Sequence, residues 1–318
     1  MLERTPSERD LYGMVEEYFR SSFGTANELI TEAVRRMLAA GGKRLRPRIT
    51  LLAAESVGAR AEDHVRLATF MELIHVATLI HDDVVDGAET RRGVNATAVD
   101  FGNRVSVLAG DYLFAWIFKN VTADYAHPIP NVLSSTLADI TDGEVLQLRA
   151  LAALDTSLAD YVEIATKKTA SLFAASAECG ALAAGGSPFA VRALHEFGTA
   201  YGIAFQMRDD LLDLTADAAT LGKPVGNDLR ERKMTVPLVL ALETGDREFR
   251  SAVERFFAAS DDTHENVATI VAAVAAHGGL VKTEAVLAGY VERAKQSLAP
   301  LGTAPARSEL AALADALL

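Results

Sequence analysis

Cysteine is nearly absent from this chain of 318 residues: Cys179 stands alone. A lone thiol excludes an intrachain disulfide and fits a reducing compartment. In an Ala-rich stretch it reads as a small buried apolar residue. Proline is scarce, and its 9 copies fall mostly between periodic segments, so long helices are left unbroken. Basic residues are outnumbered, 31 to 43, for a net charge of −12, which argues against a nucleic-acid partner. No uncharged apolar run reaches the roughly 18 residues of a membrane span. The best candidate, Val105 to Phe118, is interrupted by Asp111. Met1 to Asp10 is polar and charged, unlike a secretory leader. These absences predict a cytoplasmic protein with no transmembrane segment.

What is plentiful is Ala and Leu. Half of the chain is hydrophobic, enough for a sizeable core, and strand-type alternation is rare. The pattern predicts an all-α protein, one domain over residues 1–318. Several local expectations follow. Helix from residue 11 to 40 breaks around Ser21 to Thr25 and ends at Gly41-Gly42; Pro47 stops any helix running through it. Gly87 to Gly93 reads as a polar loop. Asp155-Thr156 reads as a helix N-cap. The small residues of Ala170 to Ala184 suit close packing against another helix or subunit. Pro237 lies inside an apolar run and predicts a kink.

Two stretches stand out: His81-Asp82-Asp83-Val84-Val85-Asp86 and Asp209-Asp210-Leu211-Leu212-Asp213. Each closes an apolar helical run, and within each the first and last acids lie about 40° apart on one helical face. Three like charges on one turn call for a positive partner. Mg²⁺ suits that role, because it takes one or two carboxylates and completes its shell with water and phosphate oxygens. Two such turns point to a diphosphate held through metal ions. A second group of motifs is cationic. Gly42-Lys43-Arg44-Leu45-Arg46-Pro47-Arg48 combines glycines, which admit close approach, with the side chains a diphosphate needs. Arg91-Arg92 follows the first acidic turn; Lys223 and Lys233 follow the second. His75 lies two turns before Asp82, and Gln206 three residues before Asp209, each on its acid's face.

The ordered set resembles the trans-isoprenyl diphosphate synthases, or polyprenyl synthetases, of long-chain type. The matching segments are Gly41 to Pro47, His81 to Asp86 with Arg91-Arg92-Gly93, Gly143-Glu144-Val145-Leu146-Gln147, Lys168-Thr169, Phe205 to Asp213, Gly222-Lys223 and Lys233 to Leu238. The resemblance implies a single helical bundle around a deep central cavity, the isoprenoid synthase fold, usually as a homodimer. It implies that Asp82, Asp83, Asp86, Asp209, Asp210 and Asp213 hold Mg²⁺, or Mn²⁺, on an allylic diphosphate contacted also by Arg91, Lys168, Lys223 and Lys233. Lys43, Arg46, His75 and Arg92 would bind isopentenyl diphosphate. Thr169 and Gln206 would turn oxygen dipoles toward an allylic cation. The C-terminus, Pro305 to Leu318, departs from relatives that end in a basic tail.

The implied reaction joins isopentenyl diphosphate head-to-tail to an allylic primer. A terpene cyclase has no use for Lys43, Arg46 and Arg92, and a non-catalytic partner subunit is expected to lack acids from one turn, whereas both turns are intact. The growing tail is expected to run upstream of Asp82, past Ala77, Thr78, Ile74 and Met71. Small residues at 77 and 78 predict a product beyond C20 rather than a farnesyl or geranylgeranyl chain.

Overall fold

The computed structural model describes residues 6–216, 226–259 and 263–318. Among the described residues the chain is helical apart from one small hairpin. The helices are α1 (Pro6–Ser22), α2 (Glu28–Ala39), α3 (Leu45–Ser56), α4 (Val65–Val85), α5 (Thr97–Phe101), α6 (Asn103–Asp124), α7 (Ile129–Ala150) and α8 (Leu158–Ala165). A π-helical turn, Thr166–Ala170, leads into α9 (Ser171–Ala183), followed by α10 (Pro188–Thr215) and α11 (Asn227–Arg230). Then come α12 (Val236–Thr244), α13 (Arg247–Ala258), α14 (His264–Ala276), α15 (Gly279–Ser297) and α16 (Pro305–Asp315). No single helix among the described residues is long and apolar enough to cross a membrane.

The chain divides into two compact units. One comprises the residues up to Ser134 with Ala175–His195 and Pro300–Leu310; the other comprises Ser135–Ala174, Glu196–Ala299 and Ala311–Leu318. In the first, α4 is buried on nearly every side from Val65 to Ile80 and packs against α1, α3 and α6. A helix apolar all round belongs in a core. Gly110 lets α6 approach α4, since a Cβ there would lie 2.2 Å from His81 Nε2. Edge-on contacts of Trp116 with Phe70 at 5.9 Å and Phe23 at 5.4 Å seal the same layer. Asn27 caps α2 by accepting from the backbone N–H of Leu29 and Ile30, which explains the break before it. Pro47 does not stop a helix. It sits in the first turn of α3, where a backbone N–H has no intrahelical partner to lose.

In the second unit Leu238, Val239, Phe249, Val253, Phe256, Val267 and Val274 form a core under α12 to α14. Pro237 starts α12 rather than kinking it, because it occupies the first turn. The α8 cap is Ser157, not Asp155-Thr156. Ser157 and Asp160 satisfy each other's backbone N–H, while the Thr156 hydroxyl turns back to the Ala153 carbonyl at 2.7 Å. The small residues of α9 do pack closely. A Cβ on Gly198 would lie 2.5 Å from Ala174 Cα, and in the first unit a Cβ on Gly180 would lie 2.3 Å from the Thr50 carbonyl oxygen.

Candidate active site

The first acidic turn ends α4. Helical spacing puts Asp82 and Asp86 on one side and turns Asp83 away from them. Asp86 is exposed and Asp82 half-buried, whereas Asp83 has no exposed surface. Asp83 Oδ1 accepts from Arg91 Nε at 2.7 Å and from Arg91 Nη2. Burial pushes the Asp83 carboxyl above its ordinary pKa, against the opposing pull of Arg91. Its Oδ2 is buried without a hydrogen-bond partner among the described residues.

The expected loop after this turn contains a hairpin. Strand β1 (Thr90–Arg91) pairs antiparallel with β2 (Val94–Asn95) across the two-residue turn Arg92-Gly93. Both turn residues are left-handed, at φ 53° and 79°, which matches the twist a tight hairpin needs. The turn aims Arg92 at the glycine loop before α3, where its Nη1 donates to the Gly41 carbonyl. Gly42 beneath it has φ 150°, a conformation that favours glycine, and a Cβ there would lie 2.7 Å from that nitrogen, so the guanidinium would have to shift.

In the glycine loop the three cations separate. Lys43 is exposed and Arg46 half-buried on the first turn of α3. Arg44, left-handed at φ 50°, turns inward. It donates to Glu16 at 2.8 Å, to Glu72 at 2.7 Å and to the Leu38 carbonyl at 3.0 Å. Glu72 and Arg44 are both buried, at 3% and 5% exposure, so each needs the other. His75, one turn along from Glu72, sits among arginines. Desolvation first, then the guanidiniums of Arg46, Arg92, Arg44 and Arg91, holds its imidazole well below its ordinary pKa. It is therefore neutral at pH 7 and can donate or accept a hydrogen bond without adding charge.

The second acidic turn lies near the end of α10. Here Asp209 is half-buried, while Asp210 and Asp213 are buried at 3% and 1% exposure. Asp210 is fully engaged: Oδ1 accepts from Gln206 Nε2 at 2.9 Å and Oδ2 from the Val236 backbone N–H at 3.1 Å. Burial nevertheless raises its pKa to about 6. Tyr161, also buried, has its hydroxyl pKa pushed well up by desolvation and then by Asp210. Asp213 accepts from the Asp228 backbone N–H at 3.1 Å, which ties the start of α11 to α10.

The π-helical turn carries Lys167, Lys168 and Thr169. A π turn rotates side chains out of α register, a device common at functional sites. Gly143 of α7 makes room for it, since a Cβ would lie 2.5 Å from the Lys168 backbone nitrogen. Lys168 pairs with Glu144, and Lys167 with Asp142 at 3.4 Å. The Thr169 hydroxyl donates to Gln206 Oε1 at 2.8 Å. Lys233 Nζ lies 2.5 Å from Glu231 Oε2. Lys223 lies outside the described residues.

Each half of the expected site thus has local order. Lys43, Arg46, His75, Arg91, Arg92 and the first acidic turn share one unit; Lys168, Thr169, Gln206, Lys233 and the second acidic turn share the other. Sequence reasoning missed Arg44 and Glu72. The available signal was Glu72 itself, the lone acid in the apolar run from Phe70 to Ile80, which demands a buried cation.

A polyprenyl synthetase family model matches residues 27–274. The chain belongs to the polyprenyl synthetase family. It is 36% identical over 310 residues to the short chain isoprenyl diphosphate synthase of Methanothermobacter thermautotrophicus, covering 96% of this chain and 95% of the relative. It is 41% identical to the octaprenyl diphosphate synthase of Escherichia coli, over 72% of each chain. Among solved structures, a decaprenyl diphosphate synthase from Rhodobacter capsulatus superposes with a TM-score of 0.91 at 38% identity, covering 98% of this chain and 96% of that one. A polyprenyl synthase from Caulobacter crescentus, complexed with calcium and isoprenyl diphosphate, does so with 0.92 at 36%, covering 97% and 94%. The fold is accordingly the isoprenoid synthase fold. The chain is a prenyltransferase of isoprenoid biosynthesis, condensing isopentenyl diphosphate with an allylic diphosphate primer.

Proposed function

We propose that the whole chain works as one cytoplasmic polyprenyl synthetase domain that elongates an allylic diphosphate beyond C20 with Mg²⁺ or Mn²⁺ at its acidic turns. The observation that carries the metal assignment is the split in burial: Asp82, Asp86 and Asp209 keep exposed surface, while Asp83, Asp210 and Asp213 are buried. The donor set is all carboxylate oxygen, which suits a hard cation. Among the described residues no three His, Cys, Asp or Glu side chains converge into a cage. That fits an ion whose remaining ligands are water and substrate phosphate. When bound there, the ion neutralises charge developing on the departing diphosphate.

The chain's own residues do the rest. Lys168, Lys223, Lys233 and Arg91 bind the allylic diphosphate, Glu144, Glu231 and Asp83 holding three of these cations in place beforehand. Lys43, Arg46 and Arg92 bind isopentenyl diphosphate beside a neutral His75. Thr169 and Gln206 present oxygen to the allylic cation. No side-chain base is required, because the released diphosphate can take the proton. Names of relatives support a long product (octaprenyl, decaprenyl), as do the small residues Ala77 and Thr78. The short-chain relative favours the shorter alternative, and product chromatography separates the two.

Activity in an isopentenyl diphosphate incorporation assay should require Mg²⁺ or Mn²⁺ and vanish in EDTA. Asp82→Ala and Asp209→Ala should each lower turnover by about 10³-fold or more with the helical circular dichroism retained. Full turnover in EDTA would end the metal assignment.

A further inference from the structure

The two acidic turns share a feature that metal binding alone does not explain. In each, the middle acid is withdrawn from the surface and bonded to the element that supplies the next functional group. Asp83 is fully buried and takes two donors of Arg91, the last residue of the first hairpin strand, directly before the turn that presents Arg92. Asp210 has both oxygens occupied: one orients the Gln206 amide, and the other caps the first backbone N–H of α12, three residues after Lys233. Both Arg91 donors meet Oδ1 of Asp83, and Asp210 accepts once on each oxygen, so hydrogen bonds fix the orientation of each carboxylate. A charge-assisted bond of this kind is among the stronger ones a side chain makes.

We propose that Asp83 and Asp210 are positioning residues. Asp83 sets the height of the Arg91-Arg92 hairpin, and Asp210 sets the rotamer of Gln206 together with the start of α12. The inference rests on the proposed metal role of Asp82 and Asp209, and its test keeps the two apart.

Four variants, Asp82→Asn, Asp83→Asn, Asp209→Asn and Asp210→Asn, are compared by two measurements. The first is Mn²⁺ affinity in the presence of inorganic diphosphate, read by calorimetry. The second is steady-state kinetics at saturating Mg²⁺. Asp82→Asn and Asp209→Asn should weaken Mn²⁺ binding about tenfold or more, whereas the two middle variants stay within about twofold. Asp83→Asn should raise substrate KM about tenfold with a smaller change in kcat, since it loosens binding cations. Asp210→Asn should lower kcat about tenfold, and that loss should shrink to within about twofold when Gln206→Ala is already present. Middle variants that weaken Mn²⁺ as much as the outer ones, or an Asp210 effect that adds in full to Gln206→Ala, would overturn the positioning role. Unchanged Mn²⁺ binding in all four would remove the metal reading of the outer acids, and the double-mutant cycle alone would then decide for or against Asp210.

Discussion

At the scale of single residues, electrostatics sorts side chains that look alike in the sequence. Lys43, Arg44 and Arg46 form one basic run, yet Arg44 is buried against Glu16 and Glu72, while Lys43 remains exposed. Removing one partner of such a buried pair typically costs about 3–5 kcal/mol, because the other charge is stranded. His75 makes a different prediction. Its pKa is depressed in the folded chain, so the unfolded chain binds the proton more readily. Stability contributed by the neutral imidazole is fully present above the ordinary histidine pKa and is lost as pH falls through it. Between pH 7 and 5.5 the wild type should lose about 1 kcal/mol more stability than His75→Gln, measured from urea midpoints. Equal losses would mean that the imidazole titrates normally in the folded protein.

At the scale of elements, α4 joins the acidic turn to the path expected for the product. Met71, Ile74 and Ala77 are fully buried along it. Thr78 is half-buried, and its hydroxyl bonds back to the His75 carbonyl at 2.8 Å. A ring at Ala77 must displace packed neighbours, at a cost of about 1–3 kcal/mol, so Thr78 is the gentler place to block the path. Thr78→Phe should shorten the product while the first condensation continues, as chromatography of the dephosphorylated alcohols would reveal. A wild-type product no longer than C15, or an unshortened one from Thr78→Phe, would sink the tunnel assignment. Element types were legible because runs as long as α4 and α10 exceed the length of a strand and show no strand-type alternation. Boundaries were less so. Pro47 and Pro237 look like breakers but sit in first turns, where their missing N–H costs nothing. The hairpin at Thr90 to Asn95 was hidden because two-residue strands carry no alternation to detect. The π turn was invisible for a related reason: one inserted residue leaves composition unchanged.

At the scale of the whole molecule, the ordered motifs made the family readable, since residue types and order survive without coordinates. Their internal bonding did not, because Asp83 to Arg91 and Gln206 to Asp210 are matters of rotamer rather than of spacing. The surface adds a prediction about assembly. Val107, Leu108 and Tyr112 of α6 are exposed at 38%, 58% and 36%. An apolar stripe of this kind on a helix supports the expected homodimer. Light scattering should give twice the chain mass for the wild type, and Leu108→Glu should shift the population toward monomer. A monomeric wild type at micromolar concentration would refute the homodimer.

The bonds from Thr169 to Gln206 and from Gln206 to Asp210 run in one direction. Each donor hands its hydrogen toward the carboxylate, so the row of side chains has a polarity. At its far end the Thr169 proton is already committed, and only the lone pairs of its oxygen are left for a guest. That end favours an electron-poor visitor and repels an acceptor. In the role proposed for Thr169 and Gln206, the sense of these two hydrogen bonds would distinguish a carbocation from a phosphate oxygen before any substrate arrives.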